Sequence, residues 1–78
     1  MYQPETIKHL QAATQLWLKE LQIVNNAAEA EQLREVLRFH EYRYYILNDP
    51  LISDREYDLL YKKLEIAENT HPQWITPD

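Results

Sequence analysis

The 78-residue chain contains no glycine, where average usage of ~7% would place about five. Loops that cradle phosphate need backbone with positive φ or close approach to a ligand, which glycine supplies. A Walker A loop, a dinucleotide fingerprint and an Asn-Gly hairpin are therefore excluded, and a compact β-fold is disfavoured. Cysteine is also absent. No disulfide or thiolate–metal site can staple the fold, and the redox compartment leaves no trace. No apolar run approaches the ~18 residues of a membrane span, and Met1 opens no signal-peptide pattern. These absences lead to the expectation of a soluble, cytoplasmic chain without membrane partners. Basic charge is scarce as well: eight Lys+Arg against thirteen Asp+Glu give a net charge of −5. A polyanion binder of this size carries a basic face, so a helix-turn-helix reader of duplex DNA is disfavoured.

What remains is helical, and the length allows one small domain. From Pro4 to Val24, Ile7, Leu10, Ala13, Trp17, Leu21 and Val24 recur every three or four residues, the period of an amphipathic helix. Pro4 suits a first turn, where its missing N–H costs nothing. Asn25-Asn26 breaks the chain, and Asn26 with Glu29 forms a capping-box-like start. Ala30, Leu33, Val36, Leu37, His40, Tyr44 and Leu47 continue the helical spacing until Asn48-Asp49-Pro50 stops it, because the residue before proline disfavours α. Tyr44 to Leu47 alone would pass for a buried strand, but the unbroken period places it in the helix. Ser53 and Glu56 form a capping box, with Ile52 and Tyr57 spaced as its hydrophobic staple. A third helix then carries Tyr57, Leu60, Tyr61, Leu64 and Ala67 on one face, until His71-Pro72 ends it. The expected fold is all-α: about three helices, a hairpin plus an additional N-terminal helix, with an extended tail over 73–78. A core this small contributes ~3–5 kcal/mol net, so the helices either pack tightly or dock part of their apolar surface elsewhere.

The chemistry-bearing residues gather in two strings, His40-Glu41-Tyr42-Arg43-Tyr44-Tyr45 and Ser53-Asp54-Arg55-Glu56-Tyr57-Asp58. Asp54 and Asp58 are i and i+4, so both carboxylates share a helix face beside Tyr57. The short connector folds the third helix back onto the end of the second, which brings aromatic rings and carboxylates to one cleft. Aromatic faces attract flat cations and carboxylates accept hydrogen bonds from hydroxyls and amides. A pyridinium ring on a ribose meets both conditions. Plainer readings stand beside this one. A tyrosine stripe also makes core or interface, Asp54 complements a helix N-terminus, and Asp58 pairs with Lys62. His40 is read as a packed or surface histidine. His40-Glu41 starts like a zinc-protease helix, but Tyr44 stands where the second histidine must be. His9, His40 and His71 lack ligand spacing, so no metal site is expected.

At these strings the chain resembles the amino-terminal domain, domain Ia, of bacterial NAD+-dependent DNA ligases. The resemblance runs from about Glu31 to Asp78. It is carried by His40 to Tyr45, by Asp49-Pro50-Leu51-Ile52-Ser53-Asp54-Arg55-Glu56-Tyr57-Asp58-Leu59-Leu60, and by the exit from Glu68 through His71-Pro72 to Thr76-Pro77-Asp78. It implies a role in enzyme self-adenylation: the domain grips the nicotinamide mononucleotide (NMN) half of NAD+ while a lysine of the next domain attacks the adenylyl phosphate. The positions matching the family's NMN contacts are Tyr44, Tyr45, Asp54, Tyr57 and Asp58. By analogy Tyr57 stacks on the nicotinamide ring, the aspartates hold ribose and amide, and Tyr44 and Tyr45 reach toward the phosphate. Tyr45 stands where some members carry histidine, and a tyrosine cannot become cationic.

The resemblance further implies a division into residues 1–26 (an additional helix without an assigned counterpart), 27–72 (the NMN-binding hairpin) and 73–78 (a tail toward an adenylation domain). Lys-x-Asp-Gly, the family's nucleotidyl-lysine motif, cannot occur without glycine. The chain is therefore expected to be part of a larger enzyme and inactive alone. Its partner would be the adenylation domain of the same ligase, and nicked DNA would be reached only through the whole enzyme. Mg2+ and Zn2+ belong to the family's other parts. The reading from another class is a stand-alone helical interaction module that docks partners through its Tyr/Trp surface.

Overall fold

The computed structural model describes residues 3–20 and 23–75. Three helices, α1 (Pro4–Lys19), α2 (Ala27–Tyr45) and α3 (Asp54–Thr70), are followed by one 3-10 turn over Pro72–Trp74. The all-α expectation holds among the described residues. The capping signals act as the sequence suggests. Asn26 accepts from the Glu29 backbone N–H at 2.8 Å, while Glu29 answers the Asn25 N–H. At α3 the reciprocal box is complete: Glu56 N–H donates to Ser53 Oγ, and Ser53 N–H donates to Glu56 Oε1.

α2 lies between α1 and α3 and contributes the largest share of the core. Leu10, Ala13 and Trp17 of α1 meet Ala30, Leu33, Val36, Leu37 and Phe39 of α2 and Leu60, Leu64 and Ala67 of α3 in one cluster. Trp17 is 0% exposed, and its indole N–H donates to Gln32 Oε1 at 3.0 Å. Lys63 of α3 donates to the Trp17 carbonyl, satisfying one of the acceptors a helix C-terminus leaves open. α1 is thus built into the same core as the hairpin.

Several boundaries differ from expectation. α1 ends at Lys19, short of Val24. Val24 is nonetheless buried, because the link to α2 packs inward and so prolongs the apolar period past the helix itself. Leu21 lies outside the described residues. α2 stops at Tyr45, where the chain turns through Asn48 at φ 52°, a left-handed conformation that asparagine tolerates. The expected inward stripe fails at its end: Tyr44 and Leu47 are exposed, because α2 outruns the core. Tyr61 is exposed as well. The tail begins as the 3-10 turn, with Trp74 stacked on His71 at 4.0 Å between ring centroids. Arg34 secures this exit. It is buried, and it donates to Glu31, Glu68 and the Trp74 carbonyl at 2.7–2.9 Å. Residues 76–78 of the expected tail lie outside the described residues. No helix among the described residues is long and apolar enough to cross a membrane.

Candidate functional site

The overrun of α2 creates the site. Its last turns, the connector and the start of α3 enclose a cleft of about 190 Å³. Its walls are His40, Glu41, Tyr44 and Tyr45 of α2, Pro50 to Ser53 of the connector, and Asp54 and Tyr57 of α3. Arg43 holds the connector in place, donating through Nε to the Asp49 carbonyl and through Nη2 to the Asp49 carboxylate at 2.7 Å. The volume is below the ~300–1,000 Å³ of pockets that enclose a whole drug-sized ligand.

Four of the five expected residues, Tyr44, Tyr45, Asp54 and Tyr57, line this cleft. The fifth, Asp58, does not. Its side chain is 62% exposed and reaches Lys62 at 3.4 Å, the solvated pair that the spacing also allowed. Tyr44 and Tyr45 meet edge to face at 4.9 Å, and Tyr45 is 76% exposed. Tyr57 is half-buried at the junction of the helices. Its hydroxyl donates to Glu41 Oε1 at 2.6 Å, and burial first, then Glu41, pushes its pKa up. Tyr57 therefore stays a neutral donor with a fixed ring plane.

Glu41 was not singled out from the sequence. It is sixteen residues from Tyr57, and no local period links them. Arg43 is committed to Asp49, so it does not supply the free cation near the tyrosines that a phosphate would need. Among the described lining residues there is no lysine or arginine; the carboxylates are Glu41 and Asp54. This acidic, aromatic surface favours a flat cation and hydroxyl donors over a phosphate.

His40 closes the inner end, 4% exposed. Its Nε2 lies 2.8 Å from Thr14 Oγ1, and Thr14 donates its single hydroxyl proton to the Leu10 carbonyl at 2.6 Å. The contact therefore requires His40 to donate from Nε2, with the proton absent from Nδ1. Burial first, then Arg43, lowers the His40 pKa to about 4, while Glu56 opposes the shift. A histidine whose folded pKa is depressed costs stability once the unfolded chain can protonate and the folded one cannot. Stability is expected to hold above pH ~6.5 and to fall toward pH 4. The loss between pH 7 and 5 is about 2 kcal/mol. Urea denaturation at the two pH values measures it, and His40→Gln should remove most of the difference. An equal loss in both proteins would assign it to other groups.

The site is an acidic, aromatic half-cleft on a small helical fold, with no glycine-built phosphate loop. The comparisons carry this further. The family described as DNA ligase-like, N-terminal NAD+-binding domain, matches residues 24–78. The DNA ligase of Koribacter versatilis is 54% identical over 52 residues, 67% of this chain and 8% of the relative. The DNA ligase of Sulfurihydrogenibium azorense is 44% identical over 82 aligned residues, covering 100% of this chain and 12% of the relative. That of Sulfurihydrogenibium sp. is 46% identical over 76, covering 97% and 11%. No solved structure matches. The chain belongs to the N-terminal NAD+-binding domain family of DNA ligases, and it spans about a tenth of the length of the curated relatives it matches. The two Sulfurihydrogenibium alignments extend across the residues of α1.

Proposed function

We propose that this chain is the part of an NAD+-dependent DNA ligase that holds the NMN half of NAD+ during self-adenylation, the first step of nick sealing in replication and repair. The observation that carries this reading is the convergence of Tyr44, Tyr45, Asp54 and Tyr57 on one cleft without lysine or arginine in its walls. The half-buried Tyr57 ring, fixed by Glu41, offers a stacking face to the pyridinium. Asp54 accepts from ribose hydroxyls. Asp58, one turn further at the exposed edge, reaches the ligand by giving up Lys62.

The chemistry belongs to a lysine outside this chain, in the adenylation domain that follows. That lysine attacks the adenylyl phosphorus, a lysine–phosphorus bond forms, and the phosphoanhydride bond breaks. NMN departs with the electron pair and its phosphate. The cleft accelerates this step by orientation: holding the leaving group in line with the nucleophile turns binding energy into geometry. Once NMN has gone, the domain must move aside for nicked DNA, a hinge-type motion. By this reading the chain alone does not ligate.

The test compares two reactions of the ligase that contains this chain. Asp54→Ala and Asp58→Ala are expected to lower self-adenylation from NAD+ and to spare sealing of a pre-adenylated nick. Equal loss in both reactions would assign the aspartates to folding and not to NAD+. The interaction-module reading lacks support of the same kind, because Trp17 is enclosed in the core and cannot join Tyr44 and Tyr57 in one exposed strip.

A further inference from the structure

His40 is the most enclosed side chain of the cleft wall, and one of its polar atoms has no use within the fold. Nδ1 is buried without a hydrogen-bond partner, an arrangement costly enough in a native core to require a reason. The other nitrogen is committed. Nε2 donates to Thr14 Oγ1, whose own proton goes to the Leu10 carbonyl. The two ring nitrogens are distinct, and only Nε2 is engaged by α1. The imidazole, which lines the cleft, is thus left with Nδ1 as an unused acceptor, and its protonation is opposed by burial.

We infer that His40 is a specificity-determining residue of the cleft: its Nδ1 accepts a hydrogen bond from the carboxamide N–H of nicotinamide, and Thr14 of α1 is the positioning residue that keeps Nδ1 free of a proton. This inference rests on the proposed NMN site and deepens it. An acceptor here distinguishes an amide from a carboxylate. The amide donates a proton to Nδ1. Nicotinate has none to give, and its negative charge meets a lone pair beside Glu41 and Asp54. Loss of one buried hydrogen bond with an acceptor left opposed corresponds to about tenfold or more in affinity. The same geometry gives α1 a task. A helix outside the cleft fixes the tautomer of a residue inside it.

Three measurements test this. The first follows the His40 ring nitrogens of the 15N-labelled chain by long-range 1H–15N correlation, with NMN or nicotinic acid mononucleotide added to millimolar concentration. The free chain is expected to show protonated Nε2 and bare Nδ1. NMN should shift the Nδ1 resonance together with the Tyr44 and Tyr57 rings, and the nicotinate analogue should bind at least about tenfold more weakly. Movement of the tyrosine rings with an unmoved Nδ1 would overturn the role of His40 and leave the NMN site standing. No movement of any cleft resonance would overturn both.

The second measurement uses Thr14→Val, which removes the acceptor for Nε2–H. It should admit the other tautomer and narrow the preference for amide over acid, while Thr14→Ser restores it. A preference unchanged in a folded Thr14→Val protein would contradict the positioning role. In the third, if Thr14→Val fails to fold, Thr14→Ser alone must keep the bare Nδ1 signature. Loss of that signature in the serine variant would overturn the assignment.

Discussion

Replacing Trp17 by alanine is expected to leave most of the chain unfolded at 25 °C. Trp17 is fully enclosed and is the largest side chain of the core, and it also donates to Gln32. Deleting a buried aromatic of this kind costs ~3–5 kcal/mol, from lost transfer free energy and the cavity left behind. A small helical core holds about that much in total. Trp17→Phe keeps most of the volume and loses only the indole hydrogen bond, so it should remain folded with a lowered melting temperature. Thermal unfolding followed by circular dichroism separates the two. If α1 were an appendage on a self-sufficient hairpin, Trp17→Ala would cost under ~1 kcal/mol, and a cooperative transition close to that of the unmodified chain would sink the account of a shared core.

Tyr57→Ala is expected to reduce self-adenylation of the whole ligase from NAD+ by about 10- to 100-fold and to leave the sealing of pre-adenylated nicks near its original rate. A base or ring stacked on an aromatic side chain contributes ~1–3 kcal/mol, which converts to that range. The loss should concentrate in the NAD+-dependent step because orientation of the leaving group matters only there. Tyr57→Phe isolates the hydroxyl. It keeps the ring but frees it from Glu41, so an intermediate loss is expected. Full activity in Tyr57→Ala would remove the ring from the mechanism.

The parts of this molecule legible in the sequence are those specified locally. The Asn26 and Ser53 caps are recognisable because a cap is satisfied within three residues, and the structure uses both. The stripes of α1 and, Tyr61 apart, of α3 are recognisable because each helix buries one face. α2 is different, since it packs against α1 on one side and α3 on the other. Its buried face is too wide for a single period, and Phe39, fully enclosed, falls outside the expected stripe. Thr14 is buried for a reason no pattern carries, because its hydroxyl is satisfied by His40 from another helix.

Legibility of the site follows the same physics. Tyr44, Tyr45, Asp54 and Tyr57 were nameable from motif resemblance, and all four line the cleft. Their neighbours Glu41 and His40 gain their positions from contacts between helices, the former with Tyr57 and the latter with Thr14. Asp58 shows the reverse. Helical spacing set it on the same face as Asp54, yet it points along the solvent side toward Lys62, because a shared helix face is wider than the mouth of a small cleft.

The central claim is that the cleft takes the NMN end of NAD+, and saturation-transfer NMR on the chain tests it most directly, since the method reads weak binding. With NMN and AMP present together, irradiation of the protein is expected to transfer saturation to the nicotinamide ring protons and to leave the adenine protons nearly silent. Tyr57→Ala should abolish the nicotinamide signal while the variant keeps its helical circular dichroism. Equal transfer to both nucleotides, or an undiminished nicotinamide signal in Tyr57→Ala, would contradict the assignment of this cleft to NMN.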